Sequence, residues 1–278
     1  MNATPIQLAA GEWQALILPE QGAAFHALRW RGRDILVPAP EGARHPGAYG
    51  AFWMLPWANR LDGGQCGAHR LPVNRPEENT AIHGLARDWP WRVEASQAGQ
   101  LILTQRLEAA PFIYAARLVV SLTERAFSMA MTLRHEGATA LPYGMGWHPW
   151  FPRDAGFHLA LRAAQRARHD ARGLPFAFDP SPGICGDEAA LSGLDHFFAG
   201  WDGVARLTWP GCSLILGASG DFAHGVQVYA PKDRAVICVE PVSHMPDAPN
   251  RMALAAPAPI RMLAPGEALA GSITLSAG

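Results

Sequence analysis

Glu240 follows an apolar run, AVICV at 235–239, and three prolines come soon after it: Pro241, Pro246 and Pro249. The run is typical of a β-strand, and the prolines argue against a helix or a continuing central strand. The sequence therefore predicts a carboxylate held by a rigid strand at the rim of an open site. Such a carboxylate either acts as a base or is an ordinary solvated charge at a strand end.

The next candidates are Asn59 and Arg60, which follow an apolar segment in FWMLPWANRLDGG (52–64). The planar guanidinium of an arginine donates several hydrogen bonds in a fixed geometry, which suits a polar ligand oxygen. The alternative is a loop ion pair between Arg60 and Asp62.

Two histidines stand in unusual aromatic settings. His83 lies in AIHGLARDWPW (81–91), and His148 lies in GMGWHPWF (144–151). Apolar burial lowers the pKa of an imidazole and a nearby carboxylate raises it, so a His148 that faces Glu240 is expected to be partly protonated at neutral pH. Either histidine is otherwise a structural residue that donates to a backbone carbonyl.

Tryptophans are concentrated around these fragments, and their rings fit either of two roles. They belong to the core, or they provide the flat apolar surface on which the C–H face of a sugar packs. The residues concerned are Trp53, Trp57, Trp89, Trp147 and Trp150.

The segments that must position these groups read mainly as β-strands. Alternating apolar residues predict strands near 15–18, 24–30, 101–107, 204–209, 213–217, 225–229 and 271–275, and a hairpin from 114 to 133 that turns at 123–125. The segment 158–173, HLALRAAQRARHDARG, has a helix-forming composition and is left open between helix and strand. With 28 glycines and 24 prolines spread along 278 residues and no linker, we expect one domain spanning 1–278.

The net charge limits the class of partner, and the cysteines and the N-terminus bear on where the protein is found. The formal net charge is −1, which does not favour nucleic acid or an anionic membrane surface. The four cysteines show no CxxC spacing, the N-terminus lacks the features of a secretory signal, and no apolar stretch approaches the roughly 18 residues of a membrane span. We therefore expect reduced thiols and a cytoplasmic protein.

Taken together, the fragments resemble the aldose 1-epimerase, or galactose mutarotase-like, family. The matching strings occur in the order PWANR (56–60), IHG (82–84), HPWF (148–151), LDHFF (194–198), VQVY (226–229) and VEPVSHMPDAPN (239–250). The C-terminal PIRMLAPGEALAGSITLS is similar to the closing strand pair of that family.

This resemblance implies an all-β fold, an antiparallel β-supersandwich with a shallow sugar cleft. It implies that Glu240 is the general base and His148 the general acid, although the residues alone do not exclude a share of the acid role for His83. The implied ligands of the sugar are Arg60, His83, Asp195, Gln227 and Asn59. It also implies a monosaccharide substrate, no cofactor or metal, and a monomer or homodimer.

The implied chemistry is the interconversion of α and β anomers. A base removes the proton of the O1 hydroxyl while an acid protonates the ring oxygen O5, the ring opens, and closure with reversed roles gives the other anomer.

Two alternatives remain. The string HGLAR is similar to hexose-6-phosphate 1-epimerases, in which case Arg87 would meet a phosphate. PWANR, PDAPN, a single lysine and the lack of a phosphate-binding glycine loop favour a free aldose instead. The other alternative is a non-catalytic carbohydrate-binding protein of the same fold.

Overall fold

The protein is a strand-rich molecule whose computed structural model describes residues 5–43, 47 and 49–278. Its strands follow the chain in the order β1 (Ile6–Ala10), β2 (Trp13–Leu18), β3 (Ala24–Trp30), β4 (Arg33–Asp34), β5 (Ala51–Met54), β6 (Arg60–Asp62), β7 (Gln65–Cys66), β8 (His69–Arg70), β9 (Thr80–Ile82), β10 (Arg92–Gln97), β11 (Gln100–Ala109), β12 (Phe112–Leu122), β13 (Ala126–His135), β14 (Leu141–Tyr143), β15 (Gly146–Pro149), β16 (Phe151–Pro152), β17 (His158–Leu161), β18 (Gln165–His169), β19 (Pro175–Pro180), β20 (Ile184–Asp187), β21 (Leu194–Ala199), β22 (Val204–Trp209), β23 (Cys212–Gly220), β24 (Gly225–Ala230), β25 (Val236–Val242), β26 (Arg261–Leu263) and β27 (Ala268–Ala277).

Helical structure in the described residues is limited to short segments. There is one four-residue α-helix, α1 (Glu188–Leu191), and there are single 3-10 turns at Pro19–Gln21, Ala86–Asp88, Asp221–Ala223 and Ala248–Asn250. None of these helices is long and apolar enough to cross a membrane.

Two large antiparallel sheets make up the fold. The first has the strand order β1-β2-β3-β5-β15-β25-β24-β21-β18-β19, with β4 and β16 paired at its side. The second has the order β10-β11-β12-β13-β27-β23-β22-β17-β20. Three two-stranded ladders, β14-β26, β6-β9 and β7-β8, complete the set found in the described residues.

The core lies between the two large sheets, as alternating strands require. Every second residue of β12, from Phe112 to Leu122, is buried, which gives the strand one apolar face. Phe127 of the second sheet packs edge-on against Phe25 of the first at 5.6 Å and tilted against Trp13 at 6.3 Å. The all-β antiparallel fold predicted from the sequence is confirmed.

The predicted hairpin is also confirmed. Strands β12 and β13 pair in register from Tyr114 with His135 to Leu122 with Phe127. Its turn is closed by the Thr123 hydroxyl, which accepts hydrogen bonds from the backbone N–H groups of Arg125 and Ala126.

The segment 158–173, left open between helix and strand, forms two strands and not a helix. Strand β17 pairs with β20 and β22 in the second sheet, and β18 pairs with β19 and β21 in the first. Ladder partners on both sides outweigh a weak helical propensity.

The expectation that Glu240 ends a strand at a rim is wrong, because Glu240 lies within strand β25. The strand continues through Pro241 to Val242, and it lies in the interior of the first sheet between β15 and β24. On the β15 side, pairing is confined to Val236 and Ile237 with β16 and Val242 with Gly146. Residues 238–241 have no ladder partner on that side, so the missing N–H of Pro241 is tolerated. This interruption lies beside Glu240.

Candidate active site

A cleft of about 620 Å³ crosses the first sheet and contains all seven residues singled out in the sequence. Its lining includes Asn59, Arg60, His83, His148, Asp195, Gln227 and Glu240. A larger groove of about 1090 Å³ beside β1, β2 and β3 contains none of them. The smaller cleft is therefore the candidate site.

Glu240 and His148 form the floor of the cleft. They project from the neighbouring strands β25 and β15, and His148 Nε2 lies 3.5 Å from Glu240 Oε1. Glu240 is 1% exposed and His148 5% exposed. Glu240 Oε2 and His148 Nδ1 have no hydrogen-bond partner in the part of the chain that the structure describes. Two buried polar side chains thus keep unused hydrogen-bonding capacity, which is typical of a site that receives a polar ligand.

Burial moves the pKa values of this pair in opposite directions. It raises the pKa of Glu240 well above its usual value, and the negative charge of Asp195 adds to that effect while Arg60 opposes it. Burial, aided by the positive charge of Arg87, lowers the pKa of His148 to about 3. The expectation that His148 is partly protonated at neutral pH is therefore wrong, because desolvation outweighs the nearby carboxylate.

Aromatic rings enclose the imidazole of His148. Phe52 stacks on it at 4.5 Å with 21° between the planes, and Trp150 lies 5.0 Å away at 35°. The guanidinium of Arg87 lies 5.4 Å from the centre of the Phe52 ring, and that of Arg234 lies 5.2 Å from the Trp150 ring. These contacts fix the orientation of the imidazole by packing.

Of the five tryptophans proposed for core or sugar contact, Trp150 lines the cleft. Trp53, Trp57 and Trp147 are fully buried core residues, and Trp89 is half exposed elsewhere.

His83 contacts the same imidazole edge-on, with ring centres 5.1 Å apart and 89° between the planes. Burial, followed by the charges of His148 and Arg87, lowers the pKa of His83 well below its usual value. No ion-pair contact between His83 and a carboxylate is found among the described residues, so the geometry distinguishes it from His148.

Asn59 and His83 lie side by side at one end of the β6–β9 ladder, with Asn59 just before β6 and His83 just after β9, and both have strained backbones. Their φ angles are +58° and +67°, and the N–H of His83 donates to the Asn59 carbonyl at 3.0 Å. The following Gly84 has a φ of +66°, and a Cβ there would lie 2.1 Å from the Leu55 carbonyl oxygen. Left-handed conformations at non-glycine residues cost free energy and concentrate at functional sites.

Arg60 is held by Glu78, not by Asp62. Its Nε donates to Glu78 at 2.8 Å, and a terminal nitrogen donates to Asn59 Oδ1 at 3.2 Å. Asp62 pairs instead with Arg172 and Arg251. Nothing in the local sequence marks Glu78 as the partner, because it stands 18 positions after Arg60 and the separate β7–β8 ladder lies between them.

Asp195 and Gln227 come from adjacent strands, β21 and β24. Gln227 Nε2 donates to Asp195 Oδ1 at 2.6 Å, and Gln227 lies directly across the ladder from Glu240. The side chain of Gln227 is thereby placed beside Glu240 and His148, with Asp195 behind it.

Asp247 and His244 are residues of the PDAPN region whose roles the sequence did not reveal. Asp247 accepts from the Asp62 N–H at 2.9 Å, bonds Arg251 at 2.7 Å, and donates its own N–H to the Arg60 carbonyl at 2.8 Å. The buried ring of His244 accepts from the Ala58 N–H at 3.1 Å. Both side chains brace the backbone that carries Asn59 and Arg60.

The chain matches a known protein family over nearly its whole length. The family model described as Aldose 1-epimerase matches residues 6–276. Two uncharacterized proteins of Escherichia coli (strain K12) are similar in sequence: YihR is 28% identical over 274 residues, covering 88% of this chain and 85% of its own, and YphB is 26% identical over 283 residues, covering 94% of each.

Solved structures show the same fold. A putative aldose 1-epimerase from Escherichia coli K12 superposes with a TM-score of 0.88 at 21% identity, covering 100% of this chain and 99% of that one. A galactose mutarotase-like protein from Clostridium acetobutylicum superposes with a TM-score of 0.84 at 17% identity, covering 98% and 94%.

Replacing Asp247 should loosen the support of Arg60. Asp247→Ala removes a buried carboxylate that bonds Asp62 and Arg251, so we expect a loss of about 3 kcal/mol in the free energy of unfolding. Asp247→Asn keeps an acceptor for the Asp62 N–H and should lose less. Urea unfolding of both variants measures the difference, and equal losses would contradict the bracing role.

Proposed function

The chain belongs to the aldose 1-epimerase family, and from that premise we propose that it interconverts the α and β anomers of a free aldose by acid–base ring opening and closure. The observation that carries the proposal is the contact between Glu240 and His148, 3.5 Å apart on the floor of a polar cleft. An enzyme of this kind is an isomerase of carbohydrate metabolism.

The reaction needs one proton acceptor and one proton donor at the same time. Burial favours the neutral carboxyl of Glu240 with the neutral imidazole of His148. In this state the pair carries one transferable proton, which is on the carboxyl. The carboxylate–imidazolium state also carries one proton. A pair that holds a single proton serves as base and acid together, and the roles reverse between opening and closure.

We assign Glu240 as the base that takes the O1 proton and His148 as the acid that protonates O5, both acting from the carboxylate–imidazolium state of the pair. The positive charge of Arg60 acts on Glu240 in favour of its carboxylate form. Nε2 of His148 is the nearest imidazole nitrogen to that carboxylate among the described residues. Each positioned acid or base contributes about 10² to 10⁴ in rate.

The remaining residues of the cleft hold the sugar hydroxyls in this proposal. Arg60 and His83 donate from one wall, and Asn59 is fixed beside Arg60. Asp195 and Gln227 offer acceptor and donor atoms from the opposite strands. Fixing the reacting hydroxyls relative to Glu240 and His148 lowers the entropic part of the barrier.

A hexose 6-phosphate 1-epimerase is the second candidate, and Arg87 is the observation that favours it. Arg87 lines the cleft, and its ion pair with Asp88 is long, at 3.8 Å. Against a phosphorylated substrate, Arg60 and Arg75 are already bonded to Glu78, and Glu78 and Asp195 bring negative charge to the same cleft. We therefore retain the free aldose.

A non-catalytic carbohydrate-binding protein of this fold would need aromatic and hydroxyl-binding groups but no acid–base pair. The buried contact of Glu240 with His148 argues for the enzyme, because burying both groups has no use in simple binding. A single domain over 1–278, a cytoplasmic location, a monomeric or homodimeric state and independence of any cofactor remain predictions from the sequence.

Glu240→Gln should abolish most of the activity without unfolding the protein. The amide retains the shape of the side chain but neither accepts nor delivers the proton, so we expect kcat to fall by about 10² to 10⁴. Polarimetry on fresh α-D-glucose and α-D-galactose, corrected for spontaneous mutarotation, measures the rate. Glu94→Gln on the exposed strand β10 is the matched control, and unchanged activity in Glu240→Gln would refute the assignment.

Paired histidine variants separate the acid from a sugar ligand. We expect His148→Gln to lower kcat by about 10² to 10⁴, whereas His83→Gln should act mainly on KM because His83 has no contact with Glu240. The two constants are obtained from initial rates over a range of sugar concentrations. A larger fall of kcat in His83→Gln than in His148→Gln would transfer the acid role to His83.

Direct comparison of glucose with glucose 6-phosphate tests the substrate class. We expect a higher kcat/KM for the free sugar, measured by proton NMR of the anomeric signals. If the phosphate ester is preferred, and Arg87→Gln lowers its kcat/KM by about tenfold or more as loss of a charge-assisted bond predicts, the phosphorylated substrate replaces the free aldose.

A further inference from the structure

Cys238 is a buried thiol for which the proposed reaction has no use. It precedes Glu240 by two residues on β25, so both side chains project from the same face of the strand. Cys238 is 0% exposed and packs in a small cluster with Trp150 and Val236. Its sulfur lies beneath the lining of the cleft, within 4.8 Å of a ligand atom of His148 and of Glu240.

Three different metal-binding groups converge at this point. One ligand atom each from His148, Cys238 and Glu240 lies within 4.8 Å of the other two, and this is the one such cluster found in residues 5–43, 47 and 49–278. Imidazole, thiolate and carboxylate are the three side-chain ligands that Zn²⁺ prefers, at about 2.0 to 2.3 Å in a tetrahedron.

The distances suit a tetrahedral ion. Bond lengths of about 2.0 to 2.3 Å give tetrahedral edges of roughly 3.3 to 3.6 Å, and the contact between His148 Nε2 and Glu240 Oε1 is already 3.5 Å. The sulfur has to approach by a side-chain adjustment on the order of 1 Å, which is small beside the range of one rotamer change.

An independent feature also points to a ligand here. Glu240 Oε2 is buried and unpartnered in the described part of the molecule. A divalent cation bound between a carboxylate and a thiolate would have both of its charges matched by those ligands, so burying the ion leaves no net charge on the cluster.

We propose that the floor of the cleft is a Zn²⁺-binding site formed by His148 Nε2, Cys238 Sγ and the Glu240 carboxylate, with the fourth position open to the cleft. On binding, the thiol of Cys238 and the neutral carboxyl of Glu240 each release one proton to solvent, and the resulting thiolate and carboxylate bond the ion. Zn²⁺ in this site is an inhibitor and not a cofactor, since it occupies the lone pairs that the proton transfers need. That inhibitory effect rests on the proposed function, whereas the binding does not.

Binding is tested without reference to activity. Co²⁺ and Zn²⁺ are added to the metal-free protein, with Co²⁺ followed by its thiolate charge-transfer absorption and Zn²⁺ by calorimetry. We expect one ion per chain and a cobalt–thiolate band. Cys238→Ser should remove the band and weaken Zn²⁺ binding by about tenfold or more, because Cys238 bonds the ion directly and the loss of a residue that merely orients a metal ligand already costs about 10- to 100-fold.

Cys185→Ser is the matched control, because Cys185 forms the other thiol–imidazole contact of the described residues, at 3.8 Å from His158 Nε2, but on an exposed strand. The band and the affinity should be unchanged in this variant. A band that persists in Cys238→Ser, or that disappears in Cys185→Ser, would overturn the proposal.

Activity measurements then distinguish the proposed Zn²⁺ site from the proposed function. Mutarotation of each protein is measured in the presence of a chelator and with added Zn²⁺, and the ratio of the two rates is compared. Inhibition of the wild type that a chelator reverses, and that Cys238→Ser reduces by about tenfold, supports the site. A protein that is active but binds no Zn²⁺ refutes the metal site alone, and one that binds Zn²⁺ but converts no aldose refutes the proposed function alone.

Discussion

Desolvation of a carboxylate beside an imidazole is the constraint on which the rest of this structure depends. Glu240 and His148 are both almost completely removed from water, and either one is costly to charge there without a partner. Neighbouring strands β15 and β25 keep the two groups in contact, and the interruption of the ladder beside Glu240 leaves room for a ligand. The surrounding rings and the guanidinium groups of the cleft determine which protonation states this arrangement favours.

Much of the fold was predictable because it follows from alternation along single strands. The β12–β13 hairpin and the all-β class were found in this way, since one buried face imposes a period of two. The sequence did not decide between helix and strand for the segment 158–173, because its strands are stabilised by partners in two different sheets. Local sequence also placed Glu240 at a strand end, whereas Pro241 is tolerated by a gap in pairing that arises from distant residues.

The candidate site was also predictable from the sequence only in part. Residue types and ordered motifs identified seven of the side chains that line the cleft. The partners that hold them were not visible: Glu78 reaches Arg60 from a turn 18 positions away, and Asp247 reaches Asp62 across 185 positions. The protonation of His148 was also misjudged, because the degree of burial is a property of the assembled sheet and not of the HPWF string.

The packing around His148 has a consequence for the motion of its ring. The imidazole stacks on Phe52, packs at a tilt against Trp150 and meets the ring of His83 edge-on. Rotation about the Cβ–Cγ bond would require these neighbours to separate, so the packing opposes an exchange of the two nitrogens. Nε2 stays directed at Glu240 while Nδ1 stays without a partner. In the proposed reaction, His148 would therefore take up and release its proton through the same atom, Nε2, and return to its starting state without a ring flip.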